Sequence, residues 1–230
     1  MSNNKNKKQK QSSAFTFWII GLVAVIIIGF IFLANGKKED TAAVHEMDYK
    51  SQPYIGEKSA PVQIVEFGDY KCPVCKTFEE NFFPAIKSEL VDTGKAQFYF
   101  MNYSFINVDS IRSAKFAESV YQELGNETFW KFHELLFSKQ PDDHKYEKED
   151  IFTDEFLEKT LKEIANEADV KKVVASFKEG NSEEHWNKDM KTAEELAVSG
   201  TPSLFVNGKK FEGNTMDDLK KMVDEAAKEK

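Results

Sequence analysis

From Ala14 to Ala34 the chain reads AFTFWIIGLVAVIIIGFIFLA, twenty-one residues without a charge. At 1.5 Å per helical residue this run matches a bilayer core about 30 Å thick. It is therefore set apart as a membrane-spanning helix, and whatever else the chain builds must fold without it. A secretory signal is the rival reading, but its apolar region normally runs only about 7–15 residues. The length favours an uncleaved anchor, with a cleaved signal ending near Ala34-Asn35-Gly36 as the alternative. Lipoprotein processing would need a cysteine directly after the run, and the first one is Cys72. Lys5, Lys7, Lys8 and Lys10 precede the run with no acid among them, whereas Lys37 and Lys38 behind it are diluted by Glu39 and Asp40. That bias predicts a cytoplasmic N-terminus and an exported remainder. Of 31 basic residues, setting aside those four leaves 27 against 39 acidic ones, about 12 net negative charges, which argues against a nucleic-acid partner.

The rest divides by the period of its apolar residues. Residues 36–58 are polar, lack periodicity and carry Pro53 and Gly56, as a linker does. Val62-Gln-Ile-Val-Glu-Phe67 is rich in β-branched side chains and reads as a buried strand. Phe78, Phe82, Phe83, Ile86 and Leu90 recur at near-helical spacing, with Pro84 as a kink, until Gly94; Ala96–Asn102 is a second strand. For about ninety residues thereafter, helical spacing prevails, in 111–124, 127–137, 153–166, 168–178 and 183–198. Strand signals return at Ser203–Val206, followed by the hairpin pair Asn207-Gly208, residues 209–212, and a final helix over 216–228 capped by Thr215 with Asp218. The expected organisation is a basic cytoplasmic tail (1–13), an anchor (14–35), an extracytoplasmic linker (36–58), one half of an α/β core (59–107), a helical insertion (108–197) and the second half of the core (198–230).

The chain's two cysteines, Cys72 and Cys75, stand in CPVC at the head of the first predicted helix. A structural staple is the bland alternative, yet a two-residue loop constrains the unfolded chain very little. Structural zinc needs four ligands, and His45, His133, His144 and His185 are scattered; His133-Glu134 opens no HExxH motif because position 137 is Phe. Haem attachment needs CxxCH, whereas position 76 is Lys. Thiol–disulfide exchange fits better: one thiolate attacks, and a second thiol within reach releases the mixed disulfide. At the first turn of a helix, Cys72 meets orphan N–H groups and the positive end of the dipole, with Pro73 at a position a helix tolerates. The dipole is worth about 0.3–2 kcal/mol, against roughly 2–7 needed to bring a thiol from ~8.5 into the range of CxxC motifs, so other donors are required. Lys71 and Lys76 are candidates, although surface lysines are more commonly solvated charges. Glu66 is an acid in an apolar strand; facing inward beneath the cysteines it could exchange a proton with Cys75, and facing outward it would be an ordinary surface residue. Thr201-Pro202, ahead of the last strand pair, is a plain turn by default, but a cis bond beside the cysteines would leave the Thr201 backbone free to pair with an extended substrate.

Residues 60–80, APVQIVEFGDYKCPVCKTFEE, together with 199–213, SGTPSLFVNGKKFEG, resemble the DsbA-like thiol:disulfide oxidoreductases, in particular their membrane-anchored Gram-positive type. The resemblance covers residues 53–230 in element order. It implies a thioredoxin-like fold with an inserted all-helical domain, cis-Pro202 beside Thr201, Cys72 as nucleophile, Cys75 as resolving thiol and Glu66 as the buried acid. It further implies a Cys72–Cys75 redox disulfide; the residues themselves single out no cofactor and no metal site, with a structural ion in the helical insertion left open. The partners it implies are exported cysteine-containing proteins as substrates and a membrane quinone-linked thiol oxidase that resets the pair. Pro73 and Val74 are the positions that would tune the potential; Val74 departs from the histidine of the family's best-known member and can neither donate a hydrogen bond nor carry charge. With no dimerisation segment in evidence, a monomer is expected. Reductase and isomerase are the alternative directions of the same chemistry. A membrane-tethered chaperone holding unfolded chains on a Phe-rich surface, drawn from 20 phenylalanines, is the alternative of another class.

Overall fold

The computed structural model describes residues 47–229. The predicted tail, the anchor and the first part of the linker lie outside them, and among the described residues no helix is long and apolar enough to cross a membrane. Five strands form one mixed sheet: β1 (Tyr54–Ile55), β2 (Val62–Gly68), β3 (Ala96–Asn102), β4 (Ser203–Val206) and β5 (Lys209–Lys210), in the order β1-β3-β2-β4-β5. β2 is central; it runs parallel to β3, with Glu66 level with Phe100, and antiparallel to β4, with Glu66 level with Leu204. A strand in that place is covered on both faces, which is why VQIVEFG is apolar on both. Strand alternation sends Val62, Ile64 and Glu66 to one side and Val65 and Phe67 to the other. The first set packs in the larger core with Cys72, Cys75, Phe98 and Phe100, the second in a smaller core with Tyr99, Met101, Leu196 and Phe205. The acid in β2 therefore points into the core that holds the cysteines.

Between β2 and β3 run α1 (Pro73–Asn81) and α2 (Phe83–Ile86), then a turn of π-helix over Lys87–Val91. The kink expected at Pro84 falls two residues earlier, at Phe82, because proline lacks the N–H and crowds the carbonyl one turn behind it. The helical insertion comprises α3 (Val108–Ser138), α4 (Asp154–Leu161), α5 (Glu167–Glu179) and α6 (Glu183–Glu195), with a short 3₁₀ turn over His144–Lys148. α3 begins at a capping box between Asn107 and Ser110 and is broken at Gly125, whose φ of 79° is left-handed. The two expected helices, 111–124 and 127–137, are the arms on either side of this break. The insertion is tied to the sheet through Asn102 of β3, whose side-chain amide donates to Glu118 of α3 at 2.8 Å and to Asp189 of α6 at 3.1 Å. A last helix, α7 (Met216–Ala226), is held by the predicted Thr215–Asp218 box.

Three expectations need correction. The segment read as linker up to residue 58 is already part of the domain from Met47: β1 pairs antiparallel with β3, and Gln52 is buried with its amide on Asp189 at 2.7 Å. Polar composition hid this because the segment is held by hydrogen bonds together with a few scattered apolar anchors, Met47, Tyr49 and Tyr54. The strand expected over 209–212 is paired only at Lys209–Lys210. Lys71 is no surface charge: it is 2 % exposed, with Nζ 3.0 Å from Asp109 and hydrogen-bonded to the carbonyls of Tyr146 and Glu149. A buried ammonium needs such a set of partners, and the tertiary fold alone supplies them.

Candidate active site

Cys72 is the N-cap of α1, extended at φ −78°, ψ 116°, and its sulfur accepts the Cys75 N–H at 3.4 Å, the part usually played by a serine or aspartate oxygen. Pro73 occupies the first helical position. The turn before it closes through Cys72 N–H to Asp69 O at 3.0 Å. Asp69 fastens that turn: one carboxyl oxygen accepts Lys71 N–H at 2.8 Å, the other accepts Phe105 N–H at 3.0 Å and Ile106 N–H at 3.3 Å. Val74 is 59 % exposed, so the residue before Cys75 presents its two methyl groups to solvent.

The two sulfurs ionise in opposite directions. Cys72 is lowered from 9.0 to about 6, mainly because the Cys75 thiol donates to it; burial opposes this, and the Thr201 hydroxyl and the amides of Cys75 and Val74 add to it. Cys75 is raised well above its ordinary value by burial first, then by that same hydrogen bond and by the charges of Glu66 and Cys72. Neither lysine is aimed at the sulfur: Lys71 is engaged with Asp109, and Lys76 reaches the carbonyl of Gln140 at 2.7 Å and the Asp142 carboxylate. The donors demanded by the shortfall of the helix dipole are the Cys75 thiol, first, and backbone amides at the head of α1. Cys72 is therefore a thiolate at neutral pH and Cys75 a thiol, the division of labour that exchange requires.

Glu66 lies at zero exposure, and neither of its carboxyl oxygens has a hydrogen-bond partner. Burial raises its pKa well above the carboxylate range, and the neighbouring Glu79 carboxyl, then Cys72, push the same way. Gly68, next on the same face of β2, has no side chain; a Cβ there would stand 2.5 Å from the Phe100 ring and 3.2 Å from Glu66 Oε1. The Thr201–Pro202 bond is cis, and the Cys72 sulfur stands 3.3 Å from the Thr201 carbonyl oxygen, to which it donates only when protonated. A groove of about 680 Å³ opens beside the sulfur, between Val74, Phe78 and Phe82 of the helix and Pro202, Leu204 and Phe211 across from it.

The fold thus brings Cys72, Cys75, Glu66, Thr201 and Pro202 to one place. It adds residues that sequence reasoning missed. Glu79 lies four residues beyond Cys75 on the same helical face, nearly buried, and its Oε1 is 3.1 Å from His133 Nε2; His133 Nδ1 is 3.0 Å from the Tyr70 hydroxyl. An acid one turn after the second cysteine, on the apolar side of the helix, was the available signal for Glu79. Nothing local marks His133, a lone histidine in a helix rich in aromatic residues.

Comparison with known proteins agrees with this geometry. Residues 48–225 match the family model described as Thioredoxin. The chain is 34% identical over 91% of its length to the "Probable disulfide bond formation protein D" of Bacillus anthracis, covering 94% of that protein. It is also 34% identical to "Disulfide bond formation protein D" of Bacillus subtilis, over 85% of this chain and 87% of the relative. Among solved structures, oxidised BdbD from Bacillus subtilis superposes with a TM-score of 0.72 at 31% identity, over 81% of this chain and 98% of that one. The alpha-DsbA2 thiol-disulfide exchange protein of Wolbachia pipientis follows at 0.63 and 27%, over 76% and 87%. With the paired sulfurs at the head of α1 and the helical insertion in place, the chain belongs to the thioredoxin family as a DsbA-like protein disulfide oxidoreductase of the BdbD type.

Proposed function

We propose that this oxidoreductase works outside the cell membrane as a donor of disulfide bonds to exported proteins, held by residues 14–35 with residues 1–13 in the cytoplasm. The relatives named for disulfide bond formation support the direction of the reaction, and the uncharged run with its preceding lysines supports the placement. The reading rests above all on the split ionisation of the two sulfurs. In the oxidised protein a substrate thiolate attacks Cys72, the Cys72–Cys75 bond breaks, and Cys75 departs carrying the electron pair. Buried and raised in pKa, Cys75 takes a proton from Glu66. A second substrate thiolate then attacks its own sulfur in the mixed disulfide and expels Cys72, a good leaving group because it is stable as the thiolate. The substrate leaves two electrons poorer, and the dithiol awaits a membrane quinone-linked oxidase. The Thr201 backbone, beside the groove, offers an edge on which an extended substrate lies.

The test uses the oxidised protein and a reduced, unfolded two-cysteine substrate. One disulfide should be transferred per protein, Cys72→Ser should abolish transfer, and reduced Cys75→Ser offered an oxidised substrate should accumulate a mixed disulfide, since its Cys72 thiolate displaces one substrate sulfur and no second thiol of the protein releases the other. Protection from aggregation that survives Cys72→Ser without any disulfide transfer would instead identify a chaperone.

A further inference from the structure

Val74 is a ridge between two hollows. On one side lies the apolar groove already described; on the other opens a smaller cavity of about 420 Å³ that the exchange step does not use, and Val74 and Thr77 line both. Thr201, whose carbonyl oxygen is 3.3 Å from the Cys72 sulfur, borders the groove, and Pro73, next to Cys72 in the chain, borders the cavity. The two hollows flank the approach to the reactive sulfur. The far wall of the cavity comes from the connection between α3 and α4, through Gln140, Asp142 and His144. That wall is tied to the residues around the cysteines: Lys76 Nζ donates to the Gln140 carbonyl at 2.7 Å and to the Asp142 carboxylate, and the Gln140 amide donates to the Tyr70 carbonyl at 2.8 Å. Lys71 holds the same connection further on, at the carbonyls of Tyr146 and Glu149.

The cavity differs from the groove in charge. Glu80 and Asp142 line it against a single lysine, and that lysine is already committed: the Lys76 ammonium is largely buried among the Gln140 carbonyl, Asp142 and, at 3.8 Å, Glu80. Glu80 is half-exposed and Asp142 almost wholly so, and what the cavity turns to solvent is therefore carboxylate. Gln140 is buried on the same wall with its Oε1 unpartnered, an acceptor open to a donor brought from outside. We propose that this cavity is a substrate subsite, which takes a lysine or arginine side chain two residues from the cysteine being oxidised, while the groove takes a large apolar side chain on the other side of that cysteine. This rests on the donor reading above. An extended chain returns a side chain to the same face at every second residue, about 7 Å along, so a substrate with its cysteine on Cys72 sends the residues two before and two after it over the two hollows. Val74 keeps them apart. Glu80 and Asp142 are then specificity-determining residues, and Lys76 positions Asp142 without meeting the substrate.

The experiment mixes the oxidised protein with reduced peptides that carry the reacting cysteine, a second cysteine on a flexible tail, and Lys, Leu or Glu placed either two residues before or two residues after the first. Each reaction leaves the peptide with a disulfide and the protein as the dithiol, and its rate is read from the appearance of oxidised peptide. At one of the two positions Lys should react about three- to tenfold faster than Glu, the range that one or two solvent-exposed charge pairs supply; at the other, Leu should be the fastest. In the double variant Glu80→Gln, Asp142→Asn, whose amide oxygens can still accept from Lys76, the difference between Lys and Glu should fall below about twofold while the preference for Leu persists. Dithiothreitol has no side chains to place, and it should reduce variant and wild type at equal rates. Equal rates for Lys and Glu at both positions, or a preference that survives in the double variant, overturns the proposal. A Lys preference alike at both positions is general attraction by an acidic protein and overturns it too, as does a double variant that differs with dithiothreitol, because the acids then act on the sulfurs. Failure of every peptide to acquire a disulfide from wild-type protein that dithiothreitol still reduces defeats the donor reading, and the subsite with it; peptides oxidised without discrimination defeat the subsite alone.

Discussion

Replacing Cys75 by alanine should cost Cys72 much of its acidity. The largest influence lowering Cys72 to about 6 is the hydrogen bond from the Cys75 thiol, ahead of the Thr201 hydroxyl and of the Cys75 and Val74 amides. A hydrogen bond to a charged partner is worth about 1.5–3 kcal/mol, and a pKa unit about 1.36, so its removal should raise Cys72 by about 1–2 units, to roughly 7–8. Alanine keeps the helix, its N–H and the capping geometry, which confines the perturbation to the thiol. It also leaves a single cysteine, so the pH dependence of iodoacetamide alkylation reads Cys72 alone. A variant that still titrates near 6 would show that the helix terminus and amides suffice, and the thiol-pairing account would fail. A value at or above that of a free thiol would show the opposite error, since the amides would then contribute nothing.

The lowered Cys72 also links stability to pH. Its folded pKa lies below the unfolded one, so the stabilisation of the reduced protein is complete above about pH 9 and is lost as pH falls through about 6. At pH 7 this amounts to about 1.4 kcal/mol and at pH 5 to almost nothing, a difference that urea unfolding of the reduced protein should show relative to Cys72→Ser; pH-independent behaviour of that difference would contradict it. The comparison with the serine variant is needed because Glu66 and Cys75, both raised, work in the other direction as pH increases. Glu66→Leu should stabilise the protein by about 1–3 kcal/mol at pH 7, since two buried oxygens without partners disappear, while slowing the Cys75 step. Loss of stability together with an unimpaired Cys75 step would remove Glu66 from the scheme.

What could be read from the sequence is what local chemistry dictates. Proline at the first helical position behind a cysteine, a β-branched run interrupted by one acid, and Asn207-Gly208 with φ of 45° and 80° all owe their signal to residues within a few positions. The hidden features depend on partners far along the chain. Lys71 is buried because Asp109 and two carbonyls converge on it from the insertion. β1 is a strand because β3 has a free edge and Asn126 Oδ1 accepts the Tyr54 N–H at 2.8 Å. The Tyr70–His133–Glu79 chain joins residues up to 63 positions apart. Gly125 breaks α3 between the two stretches of helical spacing, 111–124 and 127–137, so this junction too is a local signal.

The equilibrium between this protein and glutathione redox buffers bears most directly on the central claim, that the pair is held ready to give its disulfide away. Near neutral pH, a Cys72 thiolate at about 6 favours the reduced form by about 1.4 kcal/mol over an ordinary thiol, equivalent to about 30 mV. The account predicts a reduction potential clearly above the roughly −270 mV of thioredoxin. A potential at or below that value would make the protein a reductase and contradict the direction assigned to it.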